Sequence, residues 1–518
     1  VDGLARLVEG LLRPEAYPER PEGIELRQTH ISYLIFTPEF VYKIKKPVDF
    51  GFLDFTTLEK RRFFCEEEVR LNRRLAPGAY LGVSPITEED GGLRVDGRGR
   101  PVEYAVKMRR LDEDRCLSRL IASDRATVET VARVARSIAS FHASARTDAH
   151  ISAFGSSDII MKNTDENFGQ TLPFVGKTVS ERLHGRVRDY TADFLSFEAP
   201  LLESRIRNGF IRDCHGDIHS EHVFIDGGVQ IIDCIEFNER FRYSDVAADI
   251  AFLSMDLDFL NRHALSAALD RAYFGETGDY EGLRLMDFYR CYRAFVRGKV
   301  ESFKAFEPEV READKEVSFL RAVYHFHLSG LYASGGFRPM LVMVTGLSGT
   351  GKSTLASQIA RHTGFVHLSS DAVRKELAGL SPDERRKEPF GRGIYSEDFT
   401  EKTYDALIRR ASDLLEKGRS VIADATFGKR RHLMAARDAA RGHGAVSRVV
   451  ECTAESSTIR ERLLRRGARP GGDASDADWE IYLRQKALFE EIAGPHAIAR
   501  AEEPEEERLG KVFSSIFG

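Results

Sequence analysis

Paired cysteines, a membrane-length apolar run, a surplus of basic charge and any internal repeat are all missing from this 518-residue sequence. The six cysteines (Cys65, Cys116, Cys214, Cys234, Cys291, Cys452) stand apart, with no CxxC pair and no metal-ligand spacing. That argues against a disulfide framework and fits free thiols in a reducing cytoplasm. No apolar run approaches the ~20 residues that span a bilayer. The opening VDGLARLVEGLLRP sets Leu4, Leu7, Val8, Leu11 and Leu12 on one helical face, but acids interrupt it and Pro14 ends it. It reads as a packing helix and not as a signal peptide. With 76 Lys and Arg against 81 Asp and Glu, the formal charge is -5 and exerts no bulk pull on nucleic acid or membrane, although a local basic groove stays open. Nothing in the sequence sets an oligomeric state.

What is present is a soluble globular composition, 42% hydrophobic and 30% charged, on a chain too long for one core. Two patterns share it. From about 23 to 110, short β-branched and aromatic runs (ISYLIF, FVYKIK, EYAVKM) surround one helical segment, residues 58–75. From about 111 to 333 the periodicity is helical, broken once by the strip CHGDIHSEHVFIDGGVQIIDCIEF. A strand lobe followed by a helical lobe predicts one two-lobed α+β domain over residues 1–333 with a cleft between its lobes. SGGFRP at 334–339 reads as a linker. Beyond it, MLVMVTG, GFVHLSS, RSVIADAT and SRVVECTA are continuous apolar strands separated by helices. They predict a doubly wound parallel-sheet α/β domain over residues 340–518. The acidic run EEPEEERLG reads as a solvated start to the last helix.

Gly346-Leu-Ser348-Gly349-Thr350-Gly351-Lys352-Ser353 matches the P-loop pattern GxxxxGK[ST], between an apolar strand and a helix that opens through Thr354. Glycines there turn backbone N–H groups toward a β-phosphate, at the positive end of a helix. Lys352 would reach the β and γ phosphates of ATP, and the Ser353 hydroxyl would carry Mg²⁺. The next apolar strand runs into Asp371, placed to deprotonate an attacking hydroxyl, with Arg374 one turn later to fork an anionic group on the acceptor. An N-cap aspartate beside an exposed arginine is the plain alternative. Asp424, ending VIADATF, is a second candidate for the metal or the acceptor, with Thr426 and Arg431 near enough to position substrate. Arg462, Arg465, Arg466 and Arg469 lead into the Gly-rich RPGGDASDAD, which predicts a lid at about 460–478 whose arginines, Arg462 and Arg466 above all, meet the nucleotide phosphates.

Residues 340–491 resemble the P-loop kinases grouped with polynucleotide 5'-kinases and zeta toxins, through GLSGTGKS, SSDAVRKEL, VIADATF and the lid. The resemblance implies that Asp371 is the general base and that Arg374 contacts an acceptor phosphate. It spans nucleic-acid ends, nucleotide sugars and small metabolites, so it implies the reaction more narrowly than the acceptor.

His215-Gly-Asp217-Ile-His219, followed by Ile231-Ile-Asp233, resembles the catalytic strip of aminoglycoside phosphotransferases, over roughly residues 25–331. It implies a kinase-like domain with Asp217 as catalytic aspartate and Asp233 as a Mg²⁺ ligand. In the strand lobe Lys43 of FVYKIK is the expected nucleotide lysine, with Lys45 on the same face as runner-up; Glu68 is its candidate partner, with Glu66 and Glu67 crowding the choice. Two departures stand out. No Gly-rich phosphate loop precedes Lys43, and His222 replaces the asparagine of HGDxHxxN, putting nitrogen where Mg²⁺ prefers oxygen. Arg242 and Asp245 read either as part of an acceptor pocket or as a structural pair. The helix DFYRCYRAFVRGKVESFKAF reads mainly as an amphipathic packing helix.

The sequence therefore predicts an ATP- and Mg²⁺-dependent phosphotransferase. Its P-loop half would act on an acceptor hydroxyl, first a nucleic-acid or nucleotide 5'-hydroxyl and second a sugar or small metabolite. The N-terminal half would phosphorylate or bind a substrate. An ATPase switch with a degenerate ligand-binding lobe is the reading from another class.

Overall fold

The computed structural model describes residues 2–51, 53–89, 91–381, 392–468 and 479–518. The chain forms two compact units. One comprises Val1–Ile160, Leu195–Asp256 and Ala268–Met286; the other comprises Met161–Phe194, Leu257–Ala267 and Asp287–Gly518. No helix among the described residues is long and apolar enough to cross a membrane. All six cysteines are free and buried.

In the first unit, β1 (Glu25–Gln28), β2 (Ser32–Phe36), β3 (Phe40–Lys45), β4 (Tyr80–Glu89), β5 (Gly92–Val95) and β6 (Pro101–Arg109) form an antiparallel sheet ordered β1-β2-β3-β6-β4-β5. The β2–β3 hairpin is tied by its turn threonine: Phe40 N–H donates to Thr37 Oγ1 at 3.1 Å. The expected helix is present as Leu58–Asn72, with the Thr57 hydroxyl accepting from Lys60 N–H at its start. It buries Cys65, Glu68, Val69 and Asn72. Glu68 therefore points inward for a reason of helical phase, three and four residues from its neighbours on the packed face. Further on, β7 (Ile211–Asp213) pairs with β10 (Tyr243–Asp245), and β8 (Val223–Asp226) forms a hairpin with β9 (Gly228–Ile231). β9 stops at Ile231, two residues before Asp233, which takes a left-handed backbone, φ 65°.

The supposed Arg242–Asp245 pair is corrected by the structure. Arg242 donates to Asp213 at 2.6 Å. Asp245 instead shares the fully buried Arg205 with Asp279, with bonds of 2.7 and 2.8 Å from Arg205 Nη2. Two buried acids around one guanidinium use its planar fork fully.

The second unit holds a parallel sheet ordered β12-β13-β11-β14-β15, from β11 (Met340–Thr345), β12 (Val366–Ser369), β13 (Val421–Asp424), β14 (Val446–Thr453) and β15 (Ala497–Arg500). Four of these strands are the apolar runs of the sequence. The fifth is an edge strand that alternates buried and exposed residues, so its apolar signal is halved. The last helix, Glu505–Phe517, carries its acids in its first turn. It packs with Glu312–Tyr332, where Tyr324 meets Phe517 at a ring distance of 4.9 Å. Asn261 joins the same unit by bonding Gly364 and Ser420 main-chain groups. The helix Met286–Phe306 turns Phe288, Tyr289 and Phe295 into the core, as its amphipathic pattern predicts.

Candidate active sites

The carboxyl edge of the parallel sheet gathers most of the expected residues. Asp424, the last residue of β13, lies opposite Val344 of β11 on one side and Ser369 of β12 on the other. β11 runs directly into Gly346, and β12 into the helix Ser370–Leu377 that carries Asp371 in its first turn. Ser369, not Asp371, is the N-cap of that helix.

The loop between β11 and the helix Lys352–Thr363 turns on three glycines, Gly346, Gly349 and Gly351, with φ of 137°, 85° and 96°. At Gly346 a Cβ would lie 2.4 Å from the Cys452 carbonyl, so only glycine lets the loop pass β14. The loop is braced from several directions. Thr345 Oγ1 donates to the Thr426 carbonyl at 2.8 Å, Thr350 Oγ1 to Leu347 O at 2.8 Å, and Ser348 N–H to Gln485 Oε1 at 3.0 Å. Lys352 Nζ donates to Leu347 O at 3.0 Å, folded back on its own loop. Ser353 and Thr354 open the helix with exposed side chains. A cavity of about 230 Å³ beside the loop is lined by Thr350, Gly351, Thr354, Cys452, Arg462 and Arg508, among others. Arg462 Nη1 reaches the Gly349 carbonyl at 3.4 Å. Sequence reading missed Arg508, which sits within the acid-rich start of the last helix with no motif to mark it.

The remaining expected groups divide. Arg374 is buried and turned inward, donating to Ile394 O at 2.6 Å and Thr400 Oγ1 at 3.2 Å. Tyr404 lies within electrostatic reach of both Arg374 and Asp371. Arg431 pairs with Glu401, and with Glu397 at 3.6 Å. Of the expected lid at 460–478, residues 460–468 form the end of the helix Ser456–Ala468, while 469–478, Arg469 included, lie outside the described residues, as does the side chain of Arg466. Magnesium suits this edge. Asp424 is a buried carboxylate whose Oδ2 has no hydrogen-bond donor among the described residues, faced at 3.4 Å by His367 Nε2. A hard cation shared with the Ser353 hydroxyl would satisfy that oxygen.

The first unit builds its site from charged side chains. Lys43 and Lys45 share one face of β3, and both reach Glu68, at 2.9 and 2.7 Å. Lys43 also pairs with Asp233 at 2.5 Å, and Lys45 with Glu236. Asp233 N–H donates to Tyr80 Oη. Loss of surrounding water would raise the half-buried Asp233 carboxyl, but Lys43 beside it holds it well below the usual carboxylate range.

The strip around Asp217 is held from behind. Asp249 accepts the N–H groups of His215 and Gly216, both at 2.8 Å, and faces His142 Nε2 at 3.2 Å. Gly216 takes φ 88° where a Cβ would meet the Phe241 carbonyl at 2.8 Å. Burial pushes the His215 imidazole down to about 4, so it is neutral here. Three ligand-type atoms, one each from Asp217, His219 and His222, lie within 4.8 Å of one another. Asp233 suits Mg²⁺ as an oxygen donor. His222 does not, since imidazole nitrogen stands at the expected amide-oxygen position.

Comparison with known proteins gives two family matches along the chain. A family model described as "Phosphotransferase enzyme family" matches residues 65–286, and one described as "AAA domain" matches residues 341–492. Uncharacterized proteins of Mycobacterium tuberculosis and Mycobacterium bovis are each 32% identical over 504 residues, spanning 96% of this chain and 97% of the relative. Among solved structures, a choline/ethanolamine kinase family protein from Mesorhizobium loti is 16% identical, with a TM-score of 0.36, over 64% of this chain and all of that one. An APS kinase from Mycobacterium tuberculosis is 21% identical, with a TM-score of 0.27, over 35% of this chain and 99% of that one. The chain belongs to the family of the mycobacterial proteins, and it joins a kinase-like phosphotransferase domain to a P-loop kinase domain. It is a kinase-type phosphotransferase.

Proposed function

We propose that the P-loop site of the second unit transfers the γ-phosphoryl group of ATP to a hydroxyl of a small metabolite, with Asp371 as the base. The observation that carries this reading is the shared edge: Asp424 is in register with the strand entering the glycine loop and with the strand leading to Asp371. A nucleotide on the loop amides of Gly346 to Thr354 and an acceptor held at Asp371 would meet there. Lys352 would leave the Leu347 carbonyl for the β and γ phosphates, and Arg462, already over Gly349, would balance charge as the phosphoryl group moves. Ser353 and Asp424 would hold magnesium, whose chemistry when bound is to neutralise the phosphate oxygens. Thr426 holds the loop through its carbonyl, and Arg431 stands near the same edge, tied to Glu401.

The small acceptor is favoured over a nucleic-acid end by Arg374. Its guanidinium is sunk in the protein, with Nη1 on Ile394 and Thr400 and Nε without a hydrogen-bond partner among the described residues, a depth that a compact acceptor reaches more readily than a strand end. In the first unit, Asp217 would act as base, Lys43 would meet nucleotide phosphates and Asp233 would ligate metal.

Label transfer from γ-labelled ATP to sugars, polyols, nucleosides and oligonucleotides tests the reading. Transfer to a small hydroxyl compound, kept in Asp217→Ala and reduced about 10²- to 10⁴-fold in Asp371→Ala, is the expected result. Transfer confined to oligonucleotide ends would overturn the acceptor, and transfer lost in Asp217→Ala alone would overturn the site.

A further inference from the structure

The first unit replaces an expected oxygen with His222, and the surroundings of that imidazole give the replacement a chemical sense. His222 Nδ1 lies 2.9 Å from the main-chain carbonyl of Asp217, a distance at which Nδ1–H donates. The backbone bond thus fixes the tautomer, with the lone pair on Nε2. That atom faces Asp233 Oδ2 at 3.6 Å, while Asp233 Oδ1 is taken by Lys43. A ring nitrogen pinned by a carbonyl so that its partner nitrogen faces a carboxylate is the support that metal-binding histidines receive from their surroundings.

The neighbours extend the pattern. His219 Nε2 lies 3.7 Å from Asp217 Oδ2, and the His219 and His222 rings pack with centroids 3.7 Å apart. These nitrogen-to-oxygen spacings exceed a direct hydrogen bond. They stand a few tenths of an ångström beyond the roughly 3.0–3.5 Å that separates neighbouring ligand atoms on one cation with bonds of about 2.1 Å, a gap that small side-chain rotations close. The backbone keeps the cluster in place, since His222 N–H donates to His219 O at 2.9 Å and Ile232 N–H to His222 O at 3.0 Å. Both rings are mostly buried, while the side chains of Asp217 and Asp233 keep 31% and 42% of their exposure, so an ion has an approach from solvent.

We propose that His222 Nε2 and Asp233, flanked by His219 and Asp217, bind a first-row transition-metal dication in preference to Mg²⁺. An imidazole nitrogen facing a carboxylate oxygen, with His219 and Asp217 on the Nδ1 side of the same ring and Nδ1 at 3.6 Å from Asp217 Oδ2, is a mixed nitrogen and oxygen set, suited to Mn²⁺, Co²⁺ or Zn²⁺, whereas Mg²⁺ dehydrates reluctantly and seeks oxygen. A second cluster, His142, Cys214 and Asp249, is fully buried, and its carboxylate already serves the His215 and Gly216 amides. It makes no comparable site. The inference concerns metal binding only and does not depend on which hydroxyl the second unit phosphorylates.

The test is a titration of the full chain with Co²⁺ in the absence of nucleotide, read by visible absorption and calorimetry and repeated with excess Mg²⁺. One Co²⁺ per chain with nitrogen-ligand absorption bands, resistant to a 100-fold excess of Mg²⁺, is expected. His222→Ala should weaken uptake at least 10- to 100-fold. His222→Asn, which restores an amide oxygen, should weaken Co²⁺ and let Mg²⁺ compete, with circular dichroism checking that both variants fold. Displacement of Co²⁺ by equimolar Mg²⁺, no uptake by the wild type, or uptake unchanged in both folded variants would each overturn the proposal.

Discussion

The second unit makes its phosphate cradle from main chain, and the first makes its site from side-chain charge. Three glycines at positive φ shape the loop after β11, and their neighbours are hydroxyls and carbonyls. In the first unit, Lys43 and Lys45 of β3 meet Glu68, Asp233 and Glu236, partners up to 191 residues away. The contrast is one of dependence. A main-chain cradle needs only local backbone geometry and leaves the Ser353 and Thr354 side chains exposed. A buried charge cluster is mutual, because removing one member strands the others in a medium that solvates them poorly.

That contrast can be broken by experiment. The largest effect expected is catalytic and lies in the second unit: the loss in Asp371→Ala described above, with no matching loss of stability. Next is Glu68→Gln, which removes the carboxylate shared by both buried lysines. It should cost about 3–5 kcal/mol in urea unfolding of the first unit; a cost below 1 kcal/mol would mean that the cluster is not mutually dependent.

Acid should act on the second unit away from its cradle. Burial holds the His327 imidazole at about 4, with Nδ1–H donating to the Phe517 carbonyl. Its folded value lies below the unfolded 6.5, so the stability is present above pH 6.5 and is lost as pH falls toward 4. Between pH 7 and 5 that amounts to about 2 kcal/mol. His327→Gln should remove that part of the slope in denaturant melts taken at the two pH values. The smallest effect is Ser353→Ala, an exposed position, which should change unfolding by less than about 0.5 kcal/mol while weakening metal-dependent nucleotide binding. A larger stability change there would place the cradle among the mutually dependent sites.

Legibility followed the same division. The glycine loop, the four apolar strands and the Asp217 strip are local patterns, and the structure forms each as a contiguous piece. Glu68 was one of three adjacent glutamates, and helical phase selected it. The edge strand Ala497–Arg500 was overlooked because only alternate residues are buried. Arg508 carried no signal, since an arginine in an acidic helix start looks solvated until the neighbouring loop and β14 place it beside a cavity. The Arg242–Asp245 pairing went astray because nearness in sequence stood in for geometry: β7, not the next turn, supplies the acid for Arg242.

Sequence alone determined the two phosphate-handling motifs, the order of their strands and helices, and the substitution at position 222, because each depends on neighbouring residues and on the conformations they permit. Tertiary structure decided the rest. It gave both β3 lysines one shared glutamate, turned Arg374 inward, and set the His222 nitrogen against Asp233. Those outcomes depend on which distant side chains are brought within a few ångströms, and there burial strengthens attraction and makes any unpaired charge costly.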